Sequence, residues 1–178
     1  MRAGHVSGAE RRRNEYSFDT SAFAGIQRLP LMPDQRDAIW TGVLRIADEG
    51  RLQIIDVVFE EIDRNKDHPH FEPCAINLRQ YRRFPVTIDR NVLQRPLDPS
   101  ILQEVFDEFP GMSGVRSRNL KADPYVLSLV HMENLVVVTE EPQDKKNKLP
   151  DACRHFGVRY LSLGQFIEQE NLGSTFHV

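Results

Sequence analysis

Lys121 to Glu141, KADPYVLSLVHMENLVVVTEE, holds a helix start, a buried strand and carboxylates at both ends within a single αβ unit. Asp123 followed by Pro124 predicts the opening of a helix: a carboxylate accepts from the orphan N–H groups there, and proline at the first helical position forfeits no hydrogen bond. Val126, Leu127, Leu129 and Val130 recur near helical spacing, carrying the helix to about Asn134. Leu135, Val136, Val137 and Val138 then form a short run rich in β-branched residues, suited to a strand covered on both faces and ending at Thr139. Glu140 and Glu141 follow at once. Acidic side chains therefore fall at a helix N-terminus and at a strand's carboxyl end, the edge of an open α/β sheet where sites form.

A chain of 178 residues is long enough for one domain with a full core and no disulfide or metal staple. A net charge of −3 is too small to imply a polyanionic or polycationic partner by itself, so any nucleic-acid binding has to come from local clusters of cations. Cys74 and Cys153 have no obvious partners, and the chain shows no secretory leader, long apolar run or lipidation signal. A soluble, cytoplasmic protein without membrane contact is expected.

Outward from the opening stretch, residues 1–14 are polar, basic and glycine-containing and read as a flexible arm, with a single domain over 15–178. Tyr16 to Phe18 predicts a strand ending at Asp19, and Thr20 to Phe23 opens a short helix for which Asp19 is an N-cap candidate. Pro33 and Asp34 open a longer helix with Gly50 at its left-handed end, and Leu52 to Ile55 is the next strand. Asp56 is expected to cap a third helix carrying Glu60 and Glu61. Between Arg64 and Arg95 the pattern supports one short helix, Ala75 to Arg82, and an irregular excursion. Asp98 and Pro99 start another helix, stopped by Pro110 and Gly111. Beyond Glu141 come a charged loop, a short helix from Pro150, a strand Val158 to Leu161 and a last helix around Gly164 to Glu168. Strands alternating with helices predict an α/β fold: a parallel sheet sandwiched between two helical layers.

Asp19 after the first strand, Glu60 or Glu61 in the helix after the second, Asp123 opening a helix, and Glu140 or Glu141 after the strand that follows thus share one structural address at one sheet edge. Each acid taken singly is more often a cap or a solvated side chain; the group is what points to chemistry. Clustered carboxylates stay ionised only beside something cationic, and hard oxygen ligands select Mg2+ or Mn2+. Paired metals of that kind suit phosphodiester cleavage with no histidine or lysine base.

YSFDTSAF, VVFEEI, ADPYVLSLVHMENLVVVTEE and KLPDACRHFGVRYLSLGQFI together resemble a PIN-domain protein of the small bacterial PIN-like branch, related to VapC-type toxins. The resemblance covers the chain from Tyr16, apart from Asp67 to Pro96. It implies a three-layer α/β/α sandwich and a Mg2+-dependent ribonuclease, the toxin of a toxin–antitoxin pair, with an RNA substrate, an antitoxin partner and a possible homodimer. On the family's pattern Asp19 matches the first-strand aspartate, Glu61 the glutamate before an aliphatic residue, and Asp123 the helix-opening aspartate, all as catalytic metal ligands. The fourth position departs from it: where PIN domains commonly carry Thr-x-Asp, this chain reads Thr139, Glu140, Glu141, which makes Glu141 the aligned acid and Thr139 and Glu140 secondary candidates. Glu60 stays open as the alternative to Glu61, because adjacent helical residues point about 100° apart.

Arg116, Arg118 and Lys121, just before Asp123, and Lys145 and Lys146, just after Glu141, are the candidate RNA-binding cations, with Lys148 following the same logic. Arg79, Tyr81, Arg82, Arg83 and Phe84 interleave guanidinium and aromatic groups and read equally as an RNA grip or as a solvated helix face. His68, His70 and Cys74 lack a fourth zinc ligand at a recognisable spacing, and Ser21 stands where a dehalogenase-like phosphatase needs a second acid. A PIN fold that has lost efficient catalysis and serves as an RNA- or protein-binding module is the rival to the nuclease.

Overall fold

Short runs of β-branched, aliphatic and aromatic residues build the sheet in the computed structural model, which describes residues 15–80, 85–86, 99–113 and 121–172. The strands are β1 (Tyr16–Phe18), β2 (Leu52–Ile55), β3 (Pro85–Val86), β4 (Val136–Val138) and β5 (Tyr160–Leu161). Every residue of β1 and β4 is buried, as a strand covered on both faces requires. The helices are α1 (Thr20–Arg28), α2 (Pro33–Asp48), α3 (Asp56–Arg64), α4 (Glu72–Gln80), α5 (Pro99–Glu108), α6 (Pro110–Ser113), α7 (Asp123–Glu133), α8 (Leu149–His155) and α9 (Leu163–Gln169).

The strands pair in the order β3-β2-β1-β4-β5, all parallel, with Tyr16 opposite both Leu52 and Val136. The chain therefore steps outward through β2 and β3, then crosses back over β1 to β4. Right-handed crossovers on either side of that reversal send their helices to opposite faces of the sheet. The packing agrees: α1 meets α2, α3, α4 and α9, whereas α7 meets α5, α6 and α8, giving the three-layer α/β/α arrangement. At the reversal point, between β1 and β4, the loops leaving the two carboxyl ends diverge and leave a crevice. Asp19 leaves β1 there, and Thr139 leaves β4.

Aromatic contacts lock the α1 side of the sheet. Phe166 of α9 meets the rings of Tyr16 and Phe18 edge-on, each at 4.9 Å, and Phe23 stacks on Trp40 at 5.8 Å. Gly50, just past α2, has the positive φ of +72° expected of a left-handed helix end, and Asn134 closes α7 the same way at φ 53°.

Several local expectations need correction. Asp56 and Asp123 are not N-caps: Ile55 and Ala122 hold those positions, and each aspartate is the first residue of its helix. Pro110 does not end the helical path, because α6 starts on it. The helix expected over Ala75 to Arg82 is α4, displaced toward the N-terminus, and β5 begins two residues later than Val158. β3 was not foreseen; proline at the first position of an edge strand costs no ladder bond, so Pro85 is compatible with it. The arm over 1–14 and the cations Arg116 and Arg118 lie outside the described residues. No helix among the described residues is long and apolar enough to cross a membrane.

Candidate functional site

Asp19 follows β1 directly and caps α1, accepting from the Ala22 N–H at 2.7 Å. Thr139, the residue after β4, donates its hydroxyl to Asp19 Oδ2 at 2.7 Å across the β1–β4 crevice. Ser21 Oγ lies 2.9 and 2.8 Å from the two Asp19 oxygens. It also accepts from the Glu140 N–H at 2.8 Å, so the β4 loop and the α1 start are stitched together through this carboxylate. On the α3 side, Glu61 Oε2 accepts from the Thr20 hydroxyl and the Ala122 N–H, both at 3.0 Å. That leaves Glu61 Oε1 without a partner among the described residues.

These groups meet in one cleft of about 370 Å³, whose walls include Asp19, Glu61, Asp123, Glu141, Arg28 and Lys121. Asp123, at the start of α7, has no hydrogen-bond partner for its carboxylate among the described residues. Burial and the neighbouring charges of Glu141, Asp19 and Glu61 hold it well above the usual carboxylate range, with Lys121 pulling the other way. Burial pushes Asp19 up to about 7, Glu141's charge adds to the rise, and the bonds from Thr139, Ala22 and Ser21 oppose it. Without further positive charge nearby, the cleft thus favours the protonated forms of Asp19 and Asp123. Carboxylate oxygens are hard donors, the type that Mg2+ and Mn2+ prefer. Among the described residues, no three His, Cys, Asp or Glu side chains are drawn together at metal-binding spacing, so the carboxylates ring the cleft rather than converge on a point.

The remaining candidates divide sharply. Glu60 is exposed and lines a separate, mostly apolar groove between α3 and α4 beside Phe59, Leu78 and Arg79. The 100° turn between neighbouring helical residues thus favours Glu61 for the cleft. Glu140 turns away: its Oε1 accepts from the Leu163 N–H at 2.8 Å, tying off the start of α9. Glu141 is bound on both oxygens, by Lys148 Nζ at 2.5 Å and the Leu149 N–H at 2.8 Å. Lys121 lines the cleft while donating to the Gly111 carbonyl at 2.7 Å. Lys145 and Lys146 are exposed and are not among the cleft's lining residues.

Ser21 and Thr20 escaped the sequence reading as site residues, although hydroxyls directly after a strand-end aspartate are the signal that finds them. Arg28, His68, His70 and Phe71, which also line the cleft, carry no such local mark. Cys74 does not join the two histidines as a zinc ligand. Its buried thiol donates to the carbonyls of Phe23 and His70, and burial pushes it up to about 12.

The sequence profile of a family described as a domain of unknown function (DUF4411) matches residues 16–173. No curated protein matches the chain.

Proposed function

The chain belongs to the DUF4411 family, a domain of unknown function, and from that premise we propose that it is an endoribonuclease that works with Mg2+ or Mn2+. The observation that carries this reading is Asp123, a carboxylate without a hydrogen-bond partner among the described residues, raised by burial and by three other acids, in a cleft at the sheet's reversal point. Asp19, Glu61 and Asp123 would hold the ion, which supplies Lewis acidity for attack of water on a phosphodiester. Ser21 and Thr139 fix the orientation of Asp19, and Thr20 with the Ala122 N–H does the same for Glu61. Arg28 and Lys121 offer the nearest positive charge to the strand's phosphates. The sequence resemblance to PIN domains supports the same reading and extends it to a cytoplasmic toxin with an antitoxin partner and a homodimeric form.

A specific observation keeps the binding module as second reading: Glu141, the aligned fourth acid, and Asp19 are each already hydrogen-bonded on both oxygens. The deciding experiment incubates the purified full chain with single-stranded RNA and Mn2+ or Mg2+. Cleavage that leaves 5′-phosphates, stops with EDTA and disappears in Asp123→Asn is the expected result. RNA bound and left intact by the wild type, with either metal, would favour the binding module and overturn the nuclease.

A further inference from the structure

We propose that His68, His70 and Phe71 form an aromatic platform in the wall of the cleft, on which one nucleobase of a single-stranded RNA stacks. This rests on the nuclease reading above for the class of ligand, and on no metal. The segment HPHF over 68–71 puts three flat rings into four residues, and all three line the same cleft as Asp19 and Asp123. The rings touch one another: His68 and His70 have centroids 5.2 Å apart, and Phe71 meets His68 at 5.8 Å. They stand at 49° and 63° to each other, tilted rather than stacked face to face. His68 is exposed, and His70 and Phe71 are half-buried, so the cluster is open to solvent on the cleft side of a turn whose inner ring, Phe71, packs on the core.

The turn is held rigidly enough to serve as a surface. The His68 carbonyl accepts from the Phe71 N–H at 2.8 Å and the Glu72 N–H at 3.2 Å, and the His68 N–H donates to the Asn65 carbonyl at 2.9 Å. Cys74, just inside α4, fastens the turn to α1: its thiol lies 3.1 Å from the His70 carbonyl and 3.3 Å from that of Phe23. The cleft follows α1 as well. Ser21, Ala24 and Arg28 are spaced three and four apart, on one helical face, and at 1.5 Å per residue that face carries the lining about 10 Å from Ser21 to Arg28. Exposed Arg28 adds a guanidinium for a phosphate to the same lining. Flat rings beside a cation are the combination that grips a single strand, because every base has a π face and a duplex hides it within its own stack.

The test measures fluorescence anisotropy of a short labelled RNA with the full-length chain in EDTA, where the proposed cleavage is arrested. His68→Leu should weaken binding of the single strand about tenfold, within the range for one stacked base, and His68→Phe should stay near wild type. Both variants lose the ring nitrogen that accepts from the His70 N–H at 3.3 Å, so the difference between them reads the flat ring alone. A strand of the same length with its bases removed should bind wild type and His68→Leu alike. Equal affinities of folded wild type and His68→Leu for the RNA, an equal loss in His68→Phe, the same loss on the baseless strand, or no RNA binding by wild type would each overturn the inference. Cleavage is followed separately with Mn2+. A base-dependent loss in His68→Leu alongside RNA left intact by wild type would overturn the nuclease and leave the platform standing; cleavage by wild type alongside equal affinities would do the reverse.

Discussion

Asp123 opens α7 without capping it, so its charge can be removed without removing a cap bond. Asp123→Asn keeps the shape and deletes a charge that faces Asp19, Glu61 and Glu141. In EDTA this variant should melt a few degrees above wild type, a shift corresponding to about 1 kcal/mol in a domain of this size, while metal binding and cleavage are lost. A lower melting temperature would mean that the carboxylate is structural after all. Asp19 sets a pH dependence of definite sign. Its value of about 7 lies above the ordinary 3.8, so the folded chain binds that proton more tightly than the unfolded one. Over the window from about pH 4 to about pH 7 the native state carries more protons, and stability falls as pH rises. Asp123 is raised as well and acts in the same direction. Melting temperatures in EDTA should therefore decline across that window and level off once Mn2+ is added. A rise in EDTA would refute this account.

Two consecutive glutamates after β4 serve different helices, Glu140 the start of α9 and Glu141 the start of α8. Glu140 also fixes how closely α1 approaches this loop. A Cβ added at Gly25 would stand 2.6 Å from Glu140 Cγ and 3.1 Å from Leu163 Cδ2. Glu140 cannot swing aside without giving up its bond to the Leu163 N–H. Gly25→Ala should therefore cost about 1 to 3 kcal/mol through overpacking, outweighing alanine's better helix propensity. Urea unfolding checks the value, and adding Glu140→Ala should change that cost, since the two sites touch. Glu140→Gln retains the accepting oxygen and should leave cleavage unchanged, in contrast to substitutions at Asp19 or Asp123.

Across the whole molecule, the acidic cleft and the Glu170 anchor sit at opposite ends of the sheet. At the amino edge, Tyr16 begins β1 and Arg51 precedes β2, and both reach Glu170 beyond α9. Tyr16 donates to Glu170 at 2.5 Å, and Arg51 grips the same carboxylate through two nitrogens at 2.9 and 2.6 Å. Gln169 completes the group by donating to the Tyr16 hydroxyl at 2.5 Å. The Arg51 and Glu170 side chains are each 12 % exposed, so this pair is largely shielded from water. Glu170→Ala should cost about 2 to 3 kcal/mol, less than a fully buried pair because Arg51 retains Glu49. Urea unfolding measures that loss. Manganese affinity and cleavage, which the proposed function places at the carboxyl edge, should stay at wild-type values, and a fall in either would show the two edges to be coupled.

The sequence by itself determined the elements whose signals act within a few residues. Tyr16 to Phe18 and Leu52 to Ile55 are strands, Pro33 opens a long helix and Asn134 ends another, because side-chain period, proline and left-handed turns work over one or two turns of chain. The alternation of those elements was enough to predict the parallel three-layer class. Tertiary structure alone decided that Asp123 stands inside the helix, since the backbone of Ala122 takes the cap position. It alone separated Glu141, bound to Lys148, from Glu140, bound to α9. It also revealed that Thr139 holds Asp19 across 120 residues of chain. Local propensity carries no information over such a separation; which side chains meet there is set by the pairing of β1 with β4, and that pairing exists only once the sheet has formed.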